Sequence, residues 1–337
     1  MKAWVCREYR APYVMAIEDM PVPLPGPGEV QIRVAAAGLA FGETLVLNGS
    51  YQKTPPLPYI PVSEMSGVIT AVGDGVEHLS VGDRVSAFSF DLAGGGLAEY
   101  AVMPAQFVFA VPRGMTLVEA AAYPMNAWTA WNALGSRGRL QPGEVLVVHG
   151  ATGGVGQAAV QIGKHLGATV IATGHDARRL ATLTGSGPHH LIADHVIDLG
   201  TESLRDRVKA LTGGRGADVF LDPVGGQVFD DSLRCIAPGG RVLVVGFTSG
   251  TPSAPRTNVM LVKMIAVIGV EARLAIETTG GRGREEFDRM LAAYADGRLK
   301  AQVGRTYGFE DALQGYDDIL ARRHVGKSVL IVNPELT

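Results

Sequence analysis

Cysteine is nearly absent, with Cys6 and Cys235 the two thiols among 337 residues. Two thiols so far apart exclude a disulfide framework and a cysteine-built zinc lobe, and they suit a reducing, cytoplasmic setting. An excess of one charge is missing too. Lysine plus arginine number 30 and aspartate plus glutamate 33, a net charge of −3, so no basic surface for nucleic acid is indicated. Long hydrophobic runs are equally scarce. The longest strongly apolar stretch, Met264 to Val270, is bounded by Lys263 and Glu271 and falls far short of the ~20 residues a membrane-spanning helix needs. The opening Met1-Lys2-Ala3-Trp4-Val5-Cys6-Arg7-Glu8 places charges where a secretory signal would have its apolar core. The expectation is a cytoplasmic protein with neither nucleic-acid nor membrane partners. With 47% hydrophobic and 19% charged residues the chain is ordinary for a globular protein, and at about 150 residues per domain its length predicts two domains.

The sequence changes texture near residue 120. Before it, short β-rich runs such as Val30-Gln31-Ile32-Arg33-Val34 and Gly67-Val68-Ile69-Thr70-Ala71-Val72 are broken by turn residues, which predicts antiparallel β structure. The prolines and glycines of Pro21 to Gly28 read as an ordered turn. Beyond residue 120, apolar runs alternate with helical patterns: Val145 to Val148, Val155 to Leu166, Thr169 to Ala172, Asp176 to Leu183, Asp218 to Leu221, Val228 to Ile236 and Arg241 to Val245, with Pro238-Gly239-Gly240 as a turn. This alternation predicts a parallel sheet of six strands with covering helices. Amphipathic helices around Glu285 to Ala295 and Asp311 to Arg322 precede a last strand, Lys327 to Val332.

Gly150-Ala151-Thr152-Gly153-Gly154-Val155-Gly156 stands between the buried strand Val145 to Val148 and a helix. Glycines let the backbone approach a pyrophosphate, and the helix start offers unpaired N–H groups and the positive end of its dipole. Ala151, Thr152, Gly153, Gly154, Val155 and Gly156 are therefore read as cofactor-binding, in the context that makes this motif specific. The second strand ends Val170-Ile171-Ala172-Thr173-Gly174-His175 with no acid at its tip to grip a ribose 2′-hydroxyl. Asp176 suits the cap of the next helix, with Arg178 and Arg179 in its first turn. Two arginines there oppose the dipole and point to an anion, so the predicted cofactor is NADP(H), with Thr173, Arg178 and Arg179 near its 2′-phosphate. A solvated basic helix face is the alternative.

Gly38-Leu39-Ala40-Phe41, Pro61 to Gly67, Val81-Gly82-Asp83-Arg84-Val85, Gly95 to Tyr100 and above all Gly143 to Gly156 together resemble the medium-chain dehydrogenase/reductase superfamily, in its zinc-free quinone oxidoreductase branch. The resemblance runs over essentially the whole chain. It implies an α/β protein: a doubly wound Rossmann domain over residues 119–270 and a GroES-like, β-rich catalytic domain from residues 1–118 and 271–337. It also implies a homodimer in which the Met264 to Val270 strand extends the sheet across both copies. In zinc alcohol dehydrogenases a cysteine stands where this chain has Ala40, a histidine at Ser63 and a further cysteine near Met125. None of the three replacements suits zinc, and Glu64 alone does not make a site. No metal is therefore expected. His189-His190, in a loop with glycine and proline, reads as solvated.

Without a Lewis acid, the substrate must already be activated, as a quinone or an α,β-unsaturated carbonyl compound is. Tyr51, matching a cleft tyrosine of the family, is the candidate donor to the developing oxygen, or else an aromatic wall. Asn126 matches a position close to the nicotinamide and either orients it or caps a helix. Gly246, Phe247 and Asn258, by the same resemblance, line the nicotinamide end. Ala40 and Leu45 stand where the family often has asparagine and a second tyrosine, so the pocket assigned to Phe41, Leu45, Tyr51, Tyr59 and Phe247 is apolar. Core packing explains each of these side chains equally well. The leading reading is an NADPH-dependent, metal-free quinone or enone reductase. The alternatives are an NADPH-binding protein without significant turnover, crystallin-like or accessory, and a zinc alcohol dehydrogenase with relocated ligands.

Overall fold

Strand-forming residues on the N-terminal side build a first set of elements. β1 (Lys2–Glu8) and β2 (Val14–Asp19) pair antiparallel. They are followed by β3 (Glu29–Leu39), α1 (Phe41–Leu47), β4 (Glu64–Val72), β5 (Arg84–Phe88), β6 (Tyr100–Pro104), β7 (Val108–Ala110) and α2 (Leu117–Ala122). The computed structural model describes residues 1–89, 94–184, 192–278 and 282–337, the side chains of 276–278 and 282 excepted. Next come α3 (Pro124–Trp131), β8 (Val145–Val148), α4 (Gly154–His165), β9 (Thr169–Gly174), α5 (Ala177–Leu180), β10 (His195–Asp198), α6 (Leu204–Leu211), β11 (Ala217–Asp222), α7 (Gln227–Cys235), β12 (Ile236–Val244), α8 (Thr257–Lys263) and β13 (Ala266–Gly269). Two helices, α9 (Ala272–Thr278) and α10 (Arg282–Ala295), lead to β14 (Val303–Tyr307), α11 (Ala312–Leu320) and β15 (Lys327–Ile331).

The chain divides into two compact units, Met1–Met125 with Ala301–Thr337, and Asn126–Lys300. In the first, a seven-stranded sheet runs β14-β15-β3-β4-β5-β7, and β6 also pairs with β3. Val30, Ile32, Val34, Met65, Ile69, Val85 and Leu330 are buried in its core. α2 lies on this sheet, with the Ser86 hydroxyl donating to Ala120 O at 2.7 Å. In the second unit all six strands are parallel, in the order β10-β9-β8-β11-β12-β13. That is the strand order of a doubly wound dinucleotide fold, whose direction reverses beside β8. The fold class is thus α/β, a Rossmann-type sheet with a GroES-like sheet.

Two details depart from the sequence reading. Residues 271–278 and 282–300 group with the parallel sheet, whereas the return to the first domain was expected at 271. Trp128 Nε1 donates to Ala272 O at 2.9 Å, its ring packs edge-on against Phe287, and Lys300 N–H donates to Gln161 at 2.9 Å. Pro238-Gly239-Gly240, expected as a turn, lies within β12. Ile236 already pairs with Ala217, and the register shifts before Arg241 meets Val219. The four residues Ala237 to Gly240 stand opposite Asp218 alone, an irregularity in the ladder where Gly239 takes a φ of 77°. Among the described residues, no helix is long and apolar enough to cross a membrane.

Candidate functional site

The glycine turn sits at the C-terminal end of β8, on the edge where doubly wound sheets bind ligands. Gly153 caps α4 with φ −80° and ψ 172°, so Gly154, Val155 and Gly156 form the first helical turn. Their N–H groups have no carbonyl one turn earlier to bond. At two positions there is no room for a side chain: a Cβ on Gly156 would lie 2.3 Å from Gly150 O, and one on Gly154 would lie 2.3 Å from Asn126 Nδ2. Asn126, on α3, therefore stands directly against the start of α4. Ala151 is not among the residues with positive φ, so its Cβ is unstrained, and its N–H donates to Thr173 O at 3.0 Å. This geometry fits a dinucleotide: a turn packed so closely that Gly154 and Gly156 admit no side chain, opening onto helix N–H groups without intrahelical partners.

Around this turn the structure sorts the predicted residues. Asp176 caps α5, its carboxylate accepting from the N–H groups of Arg178 and Arg179 at 2.9 and 3.2 Å. Arg178 is exposed, and Arg179 Nε lies 3.2 Å from Asp176. Thr173 is a correction. Its side chain is fully buried and turned into the sheet, where its hydroxyl meets His149 Nδ1 at 2.8 Å. A hydroxyl enclosed in this way has no access to a 2′-phosphate. Gly246 and Phe247 belong to a loop laddered onto the end of β11, through Thr248 N to Pro223 O and Ser249 N to Val224 O, both 3.0 Å. Phe247 lies over Gly225 and is 43% exposed. Asn258 is exposed on α8.

In the first unit, α1 and the segment that follows it carry the remaining candidates. Ala40 is its N-cap and brings no side-chain acceptor. Phe41 and Leu45 are half-buried, and so is Tyr51, whose N–H donates to Leu45 O at 3.0 Å. Tyr59 is a second correction: it is 4% exposed, and its hydroxyl donates to buried Glu43 at 3.4 Å. It is a core residue, not an open pocket wall. Burial pushes the Tyr59 hydroxyl up, and burial also raises the Glu43 carboxyl against the opposing pull of the Val62 and Ser63 N–H groups.

The zinc-ligand positions do not fit a zinc ion. Ala40 has no donor, Ser63 Oγ accepts from Gly94 N–H at 3.1 Å, and Met125 N–H donates to Glu64 Oε1 at 2.8 Å. Lys327 Nζ stands 2.5 Å from Glu64 Oε2, so an ammonium already supplies the carboxylate's counter-charge. Among the described residues, no three of His, Cys, Asp and Glu converge on a metal position. His189-His190 lies outside the described residues.

The alcohol dehydrogenase GroES-like domain family matches residues 26–113, and the zinc-binding dehydrogenase family matches residues 154–295. The rat (Rattus norvegicus) quinone oxidoreductase is 31% identical over 338 residues, covering 98% of each chain. The chain belongs to the zinc-free quinone oxidoreductase branch of the medium-chain dehydrogenase/reductase superfamily. The Pseudomonas syringae quinone oxidoreductase structure shares 30% identity with a TM-score of 0.87, covering 98% of this chain and 99% of that one. The Escherichia coli quinone oxidoreductase, solved in complex with NADPH, shares 27% identity with a TM-score of 0.88 over 98% and 100% of the two chains.

Within this branch of oxidoreductases, two buried groups of the chain escaped the sequence reading. His149 had a signal, a lone polar residue closing the apolar run Val145 to Val148 one step before Gly150. Glu43 had none, because an acid in the amphipathic segment after Ala40 looks solvent-facing until Tyr59 is folded against it.

Proposed function

We propose that the protein is an NADPH-dependent oxidoreductase that transfers a hydride to a quinone or an α,β-unsaturated carbonyl compound without zinc, as a homodimer. The observation that carries the reading is the glycine turn at the end of β8, where Gly154 and Gly156 admit no side chain and the first turn of α4 offers unpaired N–H groups to a pyrophosphate. The NADPH named for the Escherichia coli relative supports the same cofactor here. Bound NADPH supplies the hydride. Arg178 and Arg179 bind its 2′-phosphate, with charge-assisted bonds of about 1.5–3 kcal/mol each favouring it over NADH. Asn126 orients the nicotinamide from its place against Gly154. Tyr51 donates to the oxygen that gains charge, while Phe41, Leu45 and Ala40 keep the acceptor's surroundings apolar. The donor set around Ser63 and Glu64, already committed to Gly94, Met125 and Lys327, supports zinc independence.

The test is anaerobic NADPH oxidation after chelator treatment, with a quinone and separately with a medium-chain enone. Turnover of either acceptor is expected, and the preferred one reports how far Ala40 and Leu45 have shifted specificity. NADPH binding with no turnover on either acceptor would favour a cofactor-binding protein instead.

A further inference from the structure

Directly beneath the glycine turn lies a buried polar chain that no step above uses. His149 directly follows β8, is fully buried, and is contacted on both ring nitrogens: Thr173 Oγ1 at 2.8 Å from Nδ1 and Ser232 Oγ at 2.7 Å from Nε2. The Ser232 hydroxyl gives its single proton to Val228 O at 2.7 Å, so towards His149 it can only accept. Nε2 therefore carries the ring proton, Nδ1 is bare, and the Thr173 hydroxyl donates to it. Burial lowers the His149 pKa to about 4 and keeps the ring neutral, as this arrangement requires.

The Thr173 main chain faces the other way. Its carbonyl accepts the Ala151 N–H at 3.0 Å, within the turn itself. The connection runs from Ser232 on α7 through the imidazole to Thr173 at the end of β9 and on to Ala151. Next to Ala151, a Cβ on Gly156 would stand 2.6 Å from the Ala151 Cα, so the packing of the turn leaves no slack. We propose that neutral His149 is a positioning residue for the cofactor: by holding Thr173, it sets the Ala151 peptide and thereby the aim of the N–H groups that follow. This inference rests on the NADPH reading of the turn.

The imidazole has two arms, and amide side chains can mimic them separately. Asparagine places an amide oxygen near the position of Nδ1, and glutamine an amide nitrogen near that of Nε2. NADPH Kd is measured by fluorescence for the wild type, His149→Asn, His149→Gln, Thr173→Val and Thr173→Ser, with kcat and acceptor KM at saturating NADPH. The unfolding temperature of each cofactor-free variant is recorded as well. His149→Gln and Thr173→Val are expected to weaken NADPH roughly tenfold, the cost of one unpaired buried group, and to leave kcat unchanged. His149→Asn and Thr173→Ser, which keep the Thr173 arm, are expected to stay within about threefold of wild type. The double variant His149→Gln with Thr173→Val should bind no more weakly than either single one, because both cut the same link. The proposal is overturned if unfolding temperatures fall while every Kd stays at the wild-type value, or if His149→Asn binds as weakly as His149→Gln. Should the histidine variants fold poorly, the Thr173→Val and Thr173→Ser pair decides alone. A wild type that does not bind NADPH overturns the functional reading itself, and this inference with it.

Discussion

Among single side chains, His149 links this fold to pH. Its ring has an ordinary pKa of about 6.5 in an unfolded chain, and burial holds it near 4 in the folded one, against the upward pull of Asp222 and Asp231. Above about pH 6.5 both states are neutral and its contribution to stability is complete. As the pH falls from there, the unfolded chain takes up the proton first, and stability is lost progressively until about pH 4. The loss is on the order of 3 kcal/mol. Glu43 acts in the opposite sense, since burial raises its carboxyl pKa and protonation favours the folded form. The comparison that isolates His149 is urea unfolding at pH 7 and pH 5 for wild type and His149→Asn, where the wild type should lose more stability on acidification. Parallel losses would mean that the ring is not the group responsible. Thr173 illustrates the limit of what residue identity reveals. Its place at the end of β9 was legible, but its hydroxyl turns to a histidine 24 residues earlier on the neighbouring strand, and spacing along one strand does not disclose a partner on the next.

At the scale of elements, local rules and tertiary packing agree in most places. α2 opens with a capping box: Thr116 Oγ1 accepts the Glu119 N–H at 3.2 Å, and the Glu119 carboxylate accepts the Thr116 N–H at 2.9 Å. Thr116→Ala should cost about 1 kcal/mol and lower Tm by about 2–4 °C. NADPH affinity should not change, because this cap serves the sheet of β3, β4 and β5. A change in Kd without a change in Tm would contradict that assignment. The alternation that predicted six parallel strands was legible because buried strands are continuously apolar while their helices have one apolar face. The run Pro238 to Gly240 was legible as a break in the chain, but not that paired residues of one strand flank it. Proline and glycine mark both turns and irregularities within a strand, and only the pairing of Ile236 with Ala217 tells the two apart.

For the molecule as a whole, the edge of the parallel sheet matters most. β13 ends the six-strand order, and Leu261, Val262 and Met264 just before it are 79%, 83% and 75% exposed. Three apolar side chains beside an open strand edge suit a second copy of the chain, in line with the homodimer proposed above. Sedimentation of Leu261→Lys with Val262→Lys should shift the protein from twice the chain mass to once, at micromolar concentration. Wild type sedimenting as a monomer would remove the dimer from the proposal. The two-unit organisation was legible from the change in texture near residue 120. The return point was not, because the amphipathic face of α10 does not reveal which sheet it will cover.

The path of the chain also has a consequence for synthesis. β3 is paired by β6 over Glu29 to Arg33, but its last residues, Ala36 to Leu39, are paired on that flank by β15 alone, with Val332 N–H bonding Ala35 O. As the polypeptide leaves the ribosome, this stretch keeps open hydrogen-bonding positions while the entire parallel-sheet unit is being translated. The earlier of the two units to emerge is therefore the later to be completed, and its sheet stays half-finished until the C-terminal strands arrive.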